Sequence, residues 1–171
     1  MRKAVMLSIR PKWAEKIASG EKTIEVRKTR PKLETPFKCY IYCTLPKYPH
    51  EDFIVTDYPM PQFYGGGKVI GEFVCDCITP LYNVCMDDWK RLAGGLHNIE
   101  KELVNQACLT EAKLHTYAGG KNCFAWHISD LLIYDQPKGL DEFTRLRETK
   151  FGSEPVTIKR PPQSWCYVEE G

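Results

Sequence analysis

Lys22, Glu25 and Arg27 are the residues of this sequence whose types and spacing best suit chemistry. Glu25 and Arg27 are two positions apart in an alternating segment, so on a β-strand their side chains share one face. Lys22, three positions before Glu25, cannot share that face on a regular strand. To reach the same site it must lie at the point where the chain enters the strand. An arginine fork suits a phosphate group or a base edge. The carboxylate can orient it or accept a hydrogen bond from a base amine. An ordinary surface ion pair, worth well under about 1 kcal/mol, is the alternative interpretation.

A second candidate group surrounds the predicted start of a helix and comprises Ser8, Arg10, Lys12 and Trp13. The first backbone N–H groups of a helix, together with basic side chains, form a plausible phosphate site. Trp13 could stack on a base, although packing in the core is the commoner fate of a tryptophan on an amphipathic helix. Both roles stay open for Trp13.

The elements that must position these residues follow from hydrophobic periodicity and from glycine and proline. Residues 3–9 are predicted to form a strand, followed by a helix that begins at Pro11 and ends before Gly20. Further strands are predicted at 22–27, 37–44, 68–78 and 123–134, the last one bent, with helices between 86 and 117 and an irregular C-terminal stretch. This order predicts a mixed α+β domain around a small barrel.

Length and composition limit the possible protein classes. The 171 residues suggest one domain. No apolar run approaches the roughly 20 residues of a membrane helix, and the apolar part of the N-terminus is too short for a secretory signal. We therefore expect a cytoplasmic protein without membrane contact. Residues 1–38 carry a net charge of +7 and the rest −5. A basic first part suits a phosphate-bearing partner, unless folding mixes these charges with acidic ones.

Eight cysteines raise the question of a metal site. Cys39 and Cys43, and Cys75 and Cys77, could each share a strand face, and four thiolates brought together would bind zinc. Their spacing fits no standard zinc knuckle, so buried, reduced thiols are the prediction. No zinc-protease, phosphate-loop, dinucleotide-binding or serine-hydrolase motif is present. We therefore expect neither a metal nor a cofactor.

Several segments together resemble the ASCH family. They are residues 7–13, 20–28, 69–73, 124–128 and 134–137. The resemblance implies a PUA-like barrel of about five or six strands with a helix beside a cleft. It also implies an ASCH domain over residues 1–145, with insertions at 45–66 and 86–118, followed by a C-terminal extension, 146–171, packed on the domain.

The resemblance further implies RNA-linked roles, and some family members are amidohydrolases that deacylate N-acylated cytidine nucleosides. Lys22 matches the family's cleft lysine, and Glu72 matches the glutamate that is catalytic in those hydrolases. Their nucleophilic threonine, however, is replaced here by Glu25. A carboxylate cannot take over from a hydroxyl nucleophile without a change of mechanism. Binding is therefore the favoured prediction.

The sequence thus predicts a protein that binds RNA or a nucleotide or nucleoside, with no obligatory protein partner. The predicted contacts are Ser8, Arg10, Lys12, Trp13, Lys22, Glu25 and Arg27. One alternative is a small hydrolase of a modified nucleoside or of RNA, with Lys22, Glu25 and Glu72 as catalytic residues. Another is a protein-interaction module that uses the aromatic insertion. Whether the protein is an enzyme stays open at this point.

Overall fold

A computed structural model describes residues 2–45, 53–54, 63–81 and 98–171. Strands dominate these ranges and a few helices accompany them, so the α+β prediction is confirmed. None of the described helices is long and apolar enough to cross a membrane. The elements are β1 (Lys3–Ile9), α1 (Pro11–Ala18), β2 (Ile24–Arg27), β3 (Phe37–Cys43), β4 (Phe53–Ile54), β5 (Phe63–Tyr64), β6 (Lys68–Cys75), β7 (Ile78–Leu81), α2 (Asn98–Gln106), α3 (Glu111–Ala118), β8 (Cys123–His127), β9 (Ser129–Lys138), β10 (Thr144–Thr149), β11 (Gly152–Thr157) and β12 (Trp165–Glu169).

The larger sheet has five strands in the order β12-β1-β3-β6-β9. β1 and β3 are parallel, with Val5 opposite Cys39, because the chain crosses over through α1 and β2 between them. Both faces of β1 are buried, which explains its nearly continuous apolar sequence. One face of the sheet packs against α1 and Trp126, and the other packs beneath Phe143 and Ile158.

A three-stranded sheet, in the order β2-β8-β7, carries the candidate charged residues. Glu25 lies opposite Trp126, and Arg27 lies opposite Phe124. Ile24 and Val26 pack in a separate core cluster with residues of α2, α3 and the turn between them. Because side chains alternate along a strand, Glu25 and Arg27 point away from that cluster.

The predicted bent strand at 123–134 is two strands that belong to different sheets. β8 pairs in the three-stranded sheet and β9 in the five-stranded sheet, with the break at Ile128. Asp130, two residues beyond the break and near the start of β9, has a φ of 45°, so the backbone is irregular close to this corner. Among the described residues, the five-stranded and three-stranded sheets are not joined by strand pairing into one closed sheet. The barrel of five or six strands therefore stays a prediction.

The C-terminal segment is more regular than its prolines suggested. β10 and β11 form a hairpin, and β12 pairs antiparallel with β1, with Val168 opposite Ala4. Pro155 lies in the two-stranded hairpin, where no further strand needs its missing N–H. The predicted division between 145 and 146 falls inside β10. Most of the 45–66 insertion and the first part of the 86–118 insertion lie outside the described residues, whereas α2 and α3 form the remainder of the second.

Candidate functional site

Lys22 is held at the entry to β2 by the ends of two helices. Gly20, with a φ of 79°, ends the helical stretch after α1 in a conformation that favours glycine. The Lys22 backbone N–H then donates to the Lys16 carbonyl at 2.8 Å, and the Thr23 N–H donates to the Gln106 carbonyl at 3.0 Å. Lys22 therefore approaches β2 from its entry, outside the strand's alternation.

Three charged side chains meet at this point in an almost dry environment. Lys22 Nζ is 3.3 Å from Glu25 Oε2, and Arg27 Nε is 3.0 Å from Glu25 Oε1. The Arg27 Nε contact is close enough for an ion pair but does not have hydrogen-bond geometry. Lys22 is 3% exposed, and Glu25 and Arg27 are each 7% exposed. Charges are buried this deeply only where they are paired. We call these three side chains the ion network.

The other donors of the ion network are also engaged. Lys22 Nζ donates to the Ala107 carbonyl at 2.8 Å. Arg27 Nη2 donates to the Ser8 carbonyl at 2.8 Å, and Nη1 donates to the carbonyl and hydroxyl oxygens of Ser164 at 3.3 and 3.2 Å. The network thereby joins β2 to β1, to the end of α2 and to the segment before β12.

A cleft of about 730 Å³ opens above the ion network. α1 contributes one wall, α3 contributes another, and residues 161–164 contribute a third. Among the charged residues that line it, Glu25 is acidic and the others are basic, namely Arg10, Lys22, Arg27, Lys28 and Lys113. The lining therefore has a formal charge of +4. We call it the basic cleft.

The structure brings most of the predicted binding residues to the basic cleft. Ser8 lines it, and its hydroxyl donates to the Pro162 carbonyl at 2.6 Å. Arg10 is exposed at the rim, at the N-cap position of α1, where its side chain makes no capping hydrogen bond. Trp13 is half-buried, so it both lines the cleft and packs against the main core. Lys12 is exposed and outside the lining, with Nζ 5.5 Å from the centre of the Trp13 ring.

Glu72 is not brought to the cleft. It lies on β6 beside Tyr40, on the sheet face opposite the main core. Lys38 Nζ is 2.9 Å from one Glu72 oxygen, and the Tyr134 hydroxyl donates to the other at 2.5 Å. Partial burial raises the pKa of Glu72, but the hydrogen bonds from Tyr134 and Lys38 outweigh this and lower it overall. Glu72 therefore forms a separate polar cluster with no contact to the ion network.

Several cleft residues were not foreseen from the sequence: Lys28, Lys113, Tyr117 and residues 161–164. Lys113 and Tyr117 are four positions apart on α3, a spacing that places both on one side of a helix. That spacing was the available signal, although nothing in the sequence tells which part of the domain this side faces.

The cysteines that could have supplied zinc ligands lie mainly in the core. Cys39 and Cys75 are fully buried. Burial raises the pKa of both thiols, and that of Cys75 rises to about 12. Within the described ranges, no three His, Cys, Asp or Glu side chains come together in a way that could hold a metal ion.

Residues 7–36 match the family model described as the ASCH domain. The resemblance to the ASCH domain family is confirmed. The matched ASCH segment contains the whole ion network, together with Ser8, Arg10 and Trp13. It does not reach α3 or residues 161–164, so two walls of the basic cleft lie outside it.

Solved ASCH structures from Zymomonas mobilis share the fold. One, the ASCH protein itself, is 20% identical, with a TM-score of 0.55 over 98% of this chain and 88% of that one. A serine-to-alanine variant of the Zymomonas protein gives a TM-score of 0.53 at the same identity, over 99% and 90%. A tyrosine-to-phenylalanine variant gives 0.52, over 99% and 92%. No curated protein matches the sequence.

Proposed function

We propose that this protein binds RNA or a nucleotide in the basic cleft, on the PUA-like barrel that the ASCH resemblance implies. One observation carries the proposal: the cleft lies over a buried ion network of net charge +1, and its other charged lining residues are all basic. A concave surface of one sign concentrates field lines and attracts ligands of the opposite charge. RNA-linked roles in the ASCH family point to phosphate as that charge.

The ion network and the rim have different tasks in this proposal. The ammonium of Lys22 and the guanidinium of Arg27 are already engaged with protein groups, so they supply positive potential and hold the walls together. Arg10, Lys28 and Lys113 are exposed at the cleft, so their charged groups can meet phosphate directly. Glu25 orients Lys22 and Arg27, since each of its oxygens already faces one of them. Ser8, Trp13 and, near the rim, Lys12 complete the binding surface.

The hydrolase alternative makes different demands on the same residues. In the amidohydrolase-type family members the glutamate that matches Glu72 is catalytic, yet Glu72 lies here on the face of the five-stranded sheet opposite the main core. An amidohydrolase mechanism would also need a nucleophile in place of Glu25. Binding without turnover is therefore the function that the geometry supports best. Cleavage of RNA, and the absence of RNA binding that the protein-interaction alternative would give, are the outcomes that the experiment must be able to reveal.

The test compares binding of a fluorescent single-stranded RNA by the wild type and two triple variants. Arg10→Ala/Lys28→Ala/Lys113→Ala removes the rim charges. Lys101→Ala/Lys150→Ala/Lys159→Ala removes three exposed lysines outside the cleft lining and changes the net charge equally. The wild type should lose affinity as salt rises. The rim variant should bind more weakly, with a slope of log affinity against log salt smaller by about 2, since each lost phosphate contact accounts for about 0.7.

The control variant should keep the wild-type slope to within about 0.7, the contribution of a single phosphate contact. The RNA recovered from each mixture is analysed for length. Intact RNA supports a binding protein, whereas cleavage that disappears in the rim variant supports the hydrolase alternative. Binding that ignores salt, or that is equally weakened in both variants, would overturn the assignment of phosphate to the basic cleft.

A further inference from the structure

α3 presents a compact basic and aromatic surface to the basic cleft. The hydroxyl of Thr110 caps the helix by accepting from the Lys113 N–H at 3.2 Å, and Gly119, with a φ of 57°, ends it. Leu114 and Ala118 anchor its inner side in the core. Lys113 and Tyr117, one turn apart, therefore both face the cleft.

Tyr117 has the features of a stacking surface. The residue is 40% exposed, which is high for a large aromatic side chain, and it lines the cleft. Lys28 Nζ lies 5.2 Å from the centre of its ring. Lys28 is itself exposed, so its ammonium group is free to move to a phosphate when a base arrives. The Tyr117 hydroxyl is neutral at physiological pH, as an ordinary tyrosine is, and burial raises its pKa further.

The wall formed by α1 offers a similar arrangement. Trp13 is half-buried and lines the cleft, and Nζ of Lys22 lies 5.4 Å from its ring centre. Each helical wall thus contributes one aromatic side chain with a lysine beside it. Alternation of aromatic faces and cations is how proteins bind single-stranded nucleic acid, because each nucleotide offers a base to stack and a phosphate to pair.

The shape of the cleft limits which nucleic acid can use these rings. Its volume of about 730 Å³ suits one or two nucleotides and not a double helix. In a duplex the base faces are covered by neighbouring bases, whereas unpaired bases can be splayed out and stacked on aromatic side chains. The rings can therefore be used only by a base that is not in a duplex.

We propose that Tyr117 stacks on an unpaired nucleobase whose phosphate lies against Lys28 and Lys113, with Trp13 as the second stacking surface. This inference rests on the proposed function and narrows its ligand to an unpaired nucleobase that carries phosphate. Such a group can belong to a single-stranded RNA or to a free nucleotide. The assignment also gives α3, which lies outside the matched ASCH segment, a direct part in selecting the ligand.

The test uses Tyr117→Ala and Tyr117→Phe, with Phe151→Ala as the matched control, because Phe151 is fully exposed and outside the cleft lining. The probes are a single-stranded RNA, a strand of equal length with abasic positions, an RNA duplex and a nucleoside monophosphate as competitor. Tyr117→Ala should weaken binding of the single strand by about tenfold, the effect expected for one lost stacking contact. Tyr117→Phe and Phe151→Ala should stay within about twofold of the wild type.

The abasic strand and the duplex should bind the wild type more weakly than the normal single strand. If the monophosphate competes with the single strand, a free nucleotide is sufficient for binding at the site. If it does not compete, the site requires a strand. Either result agrees with stacking. Thermal unfolding of each variant checks that the fold is kept. Equal affinity of Tyr117→Ala and wild type, or of abasic and normal strands, would overturn the stacking proposal and leave the proposed function standing. A wild type that binds none of the probes would overturn the proposed function itself.

Discussion

Lys22 and Glu25 form an ion pair, with 3.3 Å between Nζ and Oε2, in which both side chains are almost completely buried. The pair joins the residue at the entry to β2 to the second residue of that strand, and Lys22 Nζ also donates a hydrogen bond to the Ala107 carbonyl. Removal of one partner from such a pair leaves the other charge buried without full compensation. The local structure therefore depends on the ion network, which is also a source of positive potential.

Replacement of Lys22 by methionine should destabilise the protein markedly. We expect Lys22→Met to lower the free energy of unfolding by about 3 kcal/mol, the lower end of the range for broken buried pairs, because Arg27 still faces Glu25. Urea denaturation measures this difference. Lys12→Met is the control, since Lys12 is exposed beside the same Trp13 ring, and its effect should stay within about 0.5 kcal/mol. Equal stability of the two variants would contradict the role given to the pair.

Arg27→Lys should loosen the segment before β12. A lysine keeps the charge but cannot reach both the Ser8 carbonyl and Ser164, as the arginine fork does. The Ser8 N–H, which donates to the Ser164 carbonyl at 2.9 Å, should then exchange with solvent about tenfold faster, the effect of losing roughly 1.4 kcal/mol of local stability. Hydrogen exchange measured by NMR reports this. Arg30→Lys, at an exposed position, should leave the Ser8 rate unchanged; acceleration in both variants would point to a general effect of charge.

Tyr134→Phe should weaken the dependence of stability on acid pH. The pKa of Glu72 is lower in the folded protein than in the unfolded chain, so its contribution is present above the unfolded pKa and is lost as the pH falls through the folded pKa. Without the Tyr134 hydroxyl, the pKa of Glu72 should rise toward its ordinary value. The loss of stability between about pH 6 and about pH 3 should then be smaller than in the wild type.

Urea denaturation at several pH values tests this prediction. Lys38 does not add to the acid dependence of stability. Its pKa is raised in the folded protein, so its contribution to stability is present at low pH and is lost only when the pH rises through that folded pKa. The control is Tyr167→Phe, whose hydroxyl accepts from the Lys32 backbone N–H and does not contact a carboxylate in the described hydrogen bonds. A Tyr134→Phe variant with the wild-type acid profile would show that the hydroxyl does not hold Glu72 ionised.

The first part of the fold could be predicted from the sequence because its signals are local. Pro11 begins α1 and Gly20 follows its end, and the alternation at 22–27 places Glu25 and Arg27 on one face. The approach of Lys22 from outside the strand also follows from that alternation. These features depend on backbone preferences of single residues and on side-chain periodicity, which are properties of short segments.

The rest of the candidate site depends on contacts between distant segments. Nothing around Ser164 indicates that its carbonyl meets Arg27, and nothing around Tyr117 indicates that it faces α1. The position of Glu72 could not be predicted for the same reason. Its strand is predicted from the sequence, but the sheet face to which Glu72 points depends on the pairing of that strand with its neighbours. Pro161 and Pro162 suggested an irregular tail, whereas they lead directly into an edge strand of the central sheet.

The hydrogen bonds of Arg27 to Ser164 join residues 137 positions apart. Contacts of such long range form late, because the cost of closing the intervening loop must be met first. On a ribosome, the matched ASCH segment and α3 would emerge while the third wall of the cleft was still unmade. A nascent chain that had not yet released residues 161–164 would expose Arg27 without its partner Ser164. It would also lack the third wall of the cleft. The proposed ligand site would therefore be complete only after residues 161–164 have been released, and deletion of residues 161–171 should remove one wall of the cleft while sparing every residue of the ion network.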